Sequence, residues 1–365
     1  MAESNIRSRR TPVPLPFVAI SPERFIRAAR GAARLLHITN GSIAADRIQR
    51  SGVSGRVTPS ADVLHEGPTP AGLPPERWRK VRARYLAESG YAGYDECLAD
   101  LTTWDHAVDE AHTYDEVVLW FEHDLFDQLQ LIRLLDGFAS RDLGLTKLSL
   151  ICIGEFPGIV PFHGLGQLSP EQMGTLLETR QPVTRAQLVL ARHAWRVFCA
   201  PEPVGLEVAL RRDTSALPFL AGALQRHLEE FPSTRNGLAR TEHHALAALE
   251  AAGGAASFEA LFAAVQQTEE RIFMGDSSFH HCLVGLSTDP RRLIRLEHEP
   301  SGSQRSQRVT LTATGQEVLS GCDDWVCIHG IDRWLGGVHL HGREAQWRWD
   351  PDRGRLVPGA LIPSE

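Results

Sequence analysis

Glu122-His123-Asp124, with Asp127 and Gln128 one turn further on, is the richest cluster of polar, titratable residues in the chain. It follows directly on Val117-Val118-Leu119-Trp120-Phe121, an apolar run of the kind that forms a strand buried on both faces. Two shorter strand-like runs also end in polar groups. Leu35-Leu36-His37-Ile38-Thr39 leads into Asn40-Gly41-Ser42, and Asp62-Val63-Leu64 leads into His65-Glu66-Gly67-Pro68. Open α/β sheets place ligands beyond the carboxyl ends of their strands. The three groups are therefore expected to face one cleft.

The residue types define the chemistry on offer. His65, Glu66, Glu122 and His123 can act as general acids and bases, or hold a divalent metal through mixed nitrogen and oxygen ligands. No His-Glu-x-x-His or His-x-His spacing occurs in this region. His37, Asn40, Gly41, Ser42, Asp124, Asp127, Gln128 and Glu155 are the candidate ligand contacts. Asn40-Gly41-Ser42, at a strand-to-helix turn, can present backbone N–H groups to an anion, although it is neither a G-x-G-x-x-G nor a Walker loop. Ser42 with His65 or His123 would be a hydrolase pair, but the G-x-S-x-G elbow is missing. Helix capping competes as an explanation. Asp124 reads as an N-cap and Asp127 as a first-turn acid, while Ser42 or Asn40 can cap a helix with Asp46 in its first turn. Capping does not account for Glu122 and His123 at the end of an apolar strand.

Four strands are expected to position these groups: 35–39, a run within 53–64 interrupted by Pro59, 116–121 and 147–153. They alternate with helices at 43–51, at 76–111 broken near Gly90 and Gly93, and from Leu125. This order predicts an α/β fold with a mainly parallel, doubly wound N-terminal sheet over 34–160. Residues 1–33, with Pro12, Pro14, Pro16 and Pro22, read as a flexible lead-in with a short helix near its end. Residues 161–235 read as all-α, with Ser169-Pro170-Glu171-Gln172 a capping box. Residues 236–321 have the winged-helix order, three helices and then a hairpin with a polar tip at 300–306. Residues 322–365 form an aromatic-rich β tail folded back over another domain. Arg77, Arg79, Lys80, Arg82 and Arg84 make one helix face basic, either a solvated surface or a phosphate clamp.

The 365 residues suffice for two or three domains with sizeable cores. Hydrophobic content of 42% and charged content of 23% are those of a globular protein. No apolar run approaches the roughly 20 residues that span a bilayer, and the arginine-rich start lacks the pattern of a secretory signal. Six cysteines without a Cys-x-x-Cys pair fit a reducing cytoplasm. The net charge of −7 gives no overall nucleic-acid footprint.

His37 to Gly41, Val63 to Pro68 and Trp120 to Gln128 together resemble a bacterial family known as domain of unknown function 1835. The likeness covers about residues 35–160. Gly330-Ile331-Asp332-Arg333-Trp334-Leu335-Gly336-Gly337 is similar to the tail of its longer members. The family's first turn usually reads Asn-Gly-Asp-Ser, whereas here it is Asn40-Gly41-Ser42-Ile43, so one acidic residue is missing. The resemblance implies no activity.

The expected function is binding of a small anionic or phosphorylated ligand in the α/β cleft, with acid/base or hydrolytic chemistry and a divalent metal as the candidate cofactor. A ligand-responsive winged-helix DNA-binding regulator is the alternative. Between Arg235 and Ser320, however, 8 arginines stand against 10 acidic residues, which is poor for gripping phosphates. Arg305 and Arg308 are the best DNA contacts there, and the balance favours internal packing. A non-catalytic interaction scaffold is the third reading. Reaction and oligomeric state are left open by the sequence.

Overall fold

The computed structural model describes residues 33–297 and 307–359. The lead-in up to residue 32 and the polar tip at 300–306, with Arg305, lie outside the described residues. The chain is mixed α/β. Its first half runs β1 (Leu35–Thr39), α1 (Ser42–Arg50), β2 (Arg56–Pro59), α2 (Pro75–Glu88), α3 (Tyr94–Asp109), β3 (Glu116–Glu122), α4 (Leu125–Ala139), β4 (Lys147–Ile153), α5 (Pro170–Leu176) and β5 (Gln181–Pro182). These strands make one sheet in the order β2-β1-β3-β4-β5. The first four strands are parallel, and β5 pairs antiparallel with β4.

The apolar run of β3 is explained by its central place. Val117 to Phe121 are wholly buried, and alternate residues serve opposite faces. Leu36, Ile38, Val117, Leu119 and Phe121 pack with Leu125, Leu129 and Ile132 of α4. Val118, Trp120 and Ile151 pack instead with Ala44 and Ile48 of α1 and with Leu165 and Leu168. From β1 the chain passes to β2 on one side. From β3 it passes to β4 on the other. The carboxyl ends of β1 and β3 therefore flank the point where strand order reverses.

Three local expectations are corrected. β2 ends at Pro59 instead of reaching Leu64, because proline has no N–H for the ladder. His65 and Glu66 thus sit in an irregular loop. The first helix is capped by neither Asn40 nor Ser42. Gly41 holds the N-cap position with no side-chain bond, the first turn carries no acid, and Asp46 pairs with Arg50 at 3.3 Å. The segment after residue 160 is not purely helical, since Gln181 and Pro182 form the fifth strand.

Downstream come α6 (Arg185–Phe198), α7 (Val204–Leu210) and α8 (Leu220–Leu228), whose Ala194, Leu206 and Leu224 join the core on the α4 side. Then α9 (Arg240–Ala251), β6 (Ala255–Ser257), α10 (Phe258–Gln266), α11 (Asp276–Leu286), β7 (Ile294–Glu297), β8 (Arg308–Leu311) and α12 (Ala313–Leu319) follow. They enclose a core of their own around Leu246, Phe258, Phe279, Leu283 and Val309. Its three-stranded antiparallel sheet has the order β6-β8-β7.

The tail consists of α13 (Trp325–His329), the hairpin β9 (Ile331–Leu335) and β10 (Val338–Gly342), and the hairpin β11 (Trp347–Asp350) and β12 (Arg355–Pro358). It folds back onto earlier parts of the chain. Thr69 N donates to Gly336 O at 2.9 Å, and Gly337 N donates to Phe198 O at 2.8 Å. A Cβ on Gly337 would overlap the Cys199 carbonyl, so this turn lies against α6 with backbone alone. Among the described residues no helix is long and apolar enough to cross a membrane, and the cysteines are free.

Candidate functional site

The end of β3 delivers Glu122, and the turn into α4 delivers Asp124 and Asp127. Asp124 is the N-cap, its Oδ1 accepting from Asp127 N at 3.0 Å. This is the favoured use of aspartate at a helix start. Asp127, one turn on, points back: its Oδ1 accepts from Glu122 N at 2.8 Å. Gln128 completes the junction, donating to Glu122 O at 2.6 Å and lying 3.4 Å from Cys152 Sγ of β4. From the adjacent strand β1, Asn40 extends its amide across. Nδ2 donates to Glu122 Oε1 at 2.8 Å and to Asp127 Oδ2 at 2.9 Å.

Glu122, Asp124 and Asp127 are each at least 96% buried, and one oxygen from each lies within 4.8 Å of the others. Burial dominates their titration. Burial and the charge of Asp124 push Glu122 up to about 8, against weaker help from Leu165 N–H and Asn40. Asp124 is pushed up to about 6 by burial, partly offset by the N–H groups of Asp127 and Phe126. Asp127 is held well above the carboxylate range by burial and by both acidic neighbours. None of the three forms an ion pair with lysine or arginine among the described residues. At neutral pH the group must therefore share protons or take up a cation.

The segment after β4 covers this group. Leu165 N donates to Glu122 Oε1 at 2.5 Å. Gly164, at φ +142°, lies so close that a Cβ would overlap the Glu122 carboxylate. On the other side is the uncapped start of α1, where Gly41 has open space and Ser42 is exposed.

The remaining expected residues are placed as follows. His37 is a buried strand residue, its Nδ1 accepting from Trp120 Nε1 at 3.1 Å and its Nε2 lying 3.1 Å from Ser54 O. Burial lowers its pKa. His123 turns away from the carboxylates, its ring 6.0 Å from that of Phe162 and 5.9 Å from that of Phe219. Burial and then Arg271 lower its pKa. Glu155 is exposed. His65 lies between the rings of Phe126 and Phe273, and Glu66 meets Tyr85, Tyr91 and His281. The structure thus brings together Asn40, Glu122, Asp124, Asp127 and Gln128, and gathers His65 and Glu66 with a different set of neighbours.

Several neighbours had no signal in the sequence. Leu165 N–H, Gly164, Arg271 and His281 arrive from distant segments. Arg82, counted with an exposed basic face, is fully buried. Its Nη2 lies 2.5 Å from Asp62 Oδ1, and its Nη1 donates to Glu66 O at 2.8 Å. It fastens the 62–68 loop and is not available as a surface phosphate clamp. A scan against protein-family models and a search among curated proteins both found no match for this chain.

Proposed function

We propose that the crevice between the ends of β1 and β3 binds a divalent cation and, through it, a small phosphorylated or otherwise anionic ligand. The observation that carries this reading is the trio Glu122, Asp124 and Asp127, buried together at the point of strand-order reversal without a paired cation. A bare anion placed there would meet three carboxyl groups, none of them paired with a lysine or arginine among the described residues. A cation of the Mg²⁺ or Mn²⁺ type takes carboxylate oxygens and bridges to phosphate. The uncapped N–H groups of α1 next to Asn40 suit the anionic end of such a pair. Metal uptake requires the three carboxyls to give up their protons. Entry requires Gly164 and Leu165 to lift from Glu122.

This reading takes the sheet as a doubly wound one, and the family resemblance over 35–160 as a shared crevice. It takes residues 236–321 as a winged helix used for packing. One face of α11, where a duplex would be read, is turned inward: Ser278 Oγ lies 2.8 Å from Tyr91 Oη, and His281 lies 3.6 Å from Glu66. That packing weighs against the DNA-binding alternative.

The test is a thermal-shift titration with MgCl₂ or MnCl₂, alone and then with nucleotides or sugar phosphates, on the wild type and on Asp127→Asn. A ligand of the folded state raises the midpoint by mass action. The expected result is a cation-dependent rise, a further rise with phosphate only when the cation is present, and loss of both in Asp127→Asn. A wild type indifferent to divalent cations rules the reading out.

A further inference from the structure

The hairpin of β9 and β10 carries metal-ligating side chains that the carboxylate crevice does not use. Gly336 and Gly337 turn the chain, and the register sets His341 opposite Asp332 and His339 opposite Trp334. Side chains alternate across a strand. Leu335, Val338 and Leu340 point inward and are buried, and Arg333 on that side is paired with Glu242. Asp332, Trp334, His339 and His341 therefore share the outer face, where Asp332 and both histidines are exposed.

This outer face is partly organised already. His339 Nε2 lies 2.7 Å from Asp332 Oδ1. The His339 ring stacks on Trp334, with centroids 4.4 Å apart and planes 2° from parallel. Two donors at that separation are close to the spacing of two ligands around one ion, since Zn–N is about 2.0–2.1 Å and Zn–O about 2.0–2.2 Å. Asp332 pairs with no lysine or arginine among the described residues. His341 is the third donor. Its ring centroid is 5.7 Å from that of His339, and its nitrogens join the pair once the ring turns. Exposed side chains change rotamer within nanoseconds. The backbone need not move, because Thr69 N–H to Gly336 O and Gly337 N–H to Phe198 O hold the turn in place.

We propose that Asp332, His339 and His341 form a surface site for a divalent transition ion of the Zn²⁺ type, with water completing the coordination. Two imidazoles and a carboxylate suit Zn²⁺, Ni²⁺ or Cu²⁺, whereas Mg²⁺ takes oxygen ligands. An exposed ion pair contributes little by itself. Such a pair accounts for His339 and Asp332, but not for a second imidazole two residues on and directly across from the carboxylate. The site and the carboxylate trio share no residue and differ in donor class, so the site stands whether or not the crevice binds Mg²⁺.

The test is calorimetric titration of ZnCl₂ into the full chain in buffer with excess Mg²⁺. The expected result is Zn²⁺ binding that persists in Asp127→Asn and weakens at least about tenfold in His339→Ala and in His341→Ala, the scale of loss when a group supporting a metal is removed. Heat that disappears in Asp127→Asn and survives in both histidine variants belongs to the crevice and overturns the proposal. So does the absence of Zn²⁺ binding, or binding unchanged in either histidine variant. In the wild type, NMR should show Zn²⁺ shifting the imidazole signals of His339 and His341 and the indole N–H of Trp334. Shifts confined to other histidines would overturn the proposal even if the variants folded poorly.

Discussion

The amide of Asn40 lies 2.8 Å from Glu122 Oε1, joining the end of β1 to the end of β3 across the reversal of strand order. The same nitrogen reaches Asp127, so one neutral side chain links two of the three buried carboxyls. Nothing in that linkage neutralises their charge, and the consequences for pH follow directly.

Glu122 has an ordinary value of 4.5 and is pushed up to about 8, and Asp124 goes from 3.8 to about 6. Unfolding restores the ordinary values. Between roughly pH 4 and pH 8 the folded state therefore holds more protons than the unfolded state, and stability falls as pH rises through that window. Glu66 has the opposite sign: its stabilisation is complete above its ordinary value and is lost only in more acid solution. In metal-free buffer the unfolding free energy of the wild type relative to Glu122→Gln is expected to fall from about pH 5 to about pH 8 by at least about 1.4 kcal/mol, the free energy of one pKa unit; the comparison cancels the buried histidines, His37, His123 and His227 among them, whose lowered pKa acts in the opposite direction. Glu122→Gln should flatten the decline. Saturating Mg²⁺ or Mn²⁺ should reverse it, because the cation competes with protons. A difference between wild type and Glu122→Gln that does not fall with pH in EDTA would contradict the assignment.

Gly164→Ala tests the cover over the crevice. The new Cβ overlaps the Glu122 carboxylate, and φ of +142° disfavours any side chain. Overpacking with backbone strain costs about 1–3 kcal/mol. Urea unfolding should register that loss, and hydrogen exchange at the Leu165 amide should quicken as its bond to Glu122 opens. A variant as stable as the wild type, with unchanged exchange, would mean that the cover is not seated on Glu122 in solution.

Arg82→Met tests the anchor of the 62–68 loop. The substitution strands the Asp62 carboxylate in the interior, where removal of one partner of a buried pair costs about 3–5 kcal/mol. Asp62→Asn together with Arg82→Met should recover part of it. If the double variant is no more stable than the single one, the pair is not the source of the loss.

The parts of the fold legible in the sequence were those fixed by local pattern. β3 announced itself by five consecutive apolar residues, because a central parallel strand is buried on both faces. The caps at Asp124 and Ser169 were readable because each side chain bonds its own helix start. What escaped was set by distant partners. Arg82 looked like its exposed neighbours until Asp62 faced it. β5 has only two residues and exists because β4 offered an edge. Glu66 and His281 meet through tertiary packing alone, and no spacing along the chain encodes that meeting.

The bond from Thr69 N to Gly336 O has a bearing on the order in which the molecule is built. Chains emerge from the ribosome N-terminus first, and early units begin to fold as they appear. The strands of the parallel sheet are all synthesised long before Gly336. The loop that carries His65 and Glu66 is anchored early by Arg82, but its bond to Gly336 can form only after β9 has been made. Closure of that long-range contact is entropically late, so a chain arrested before β9 would carry a finished sheet with an unlatched loop.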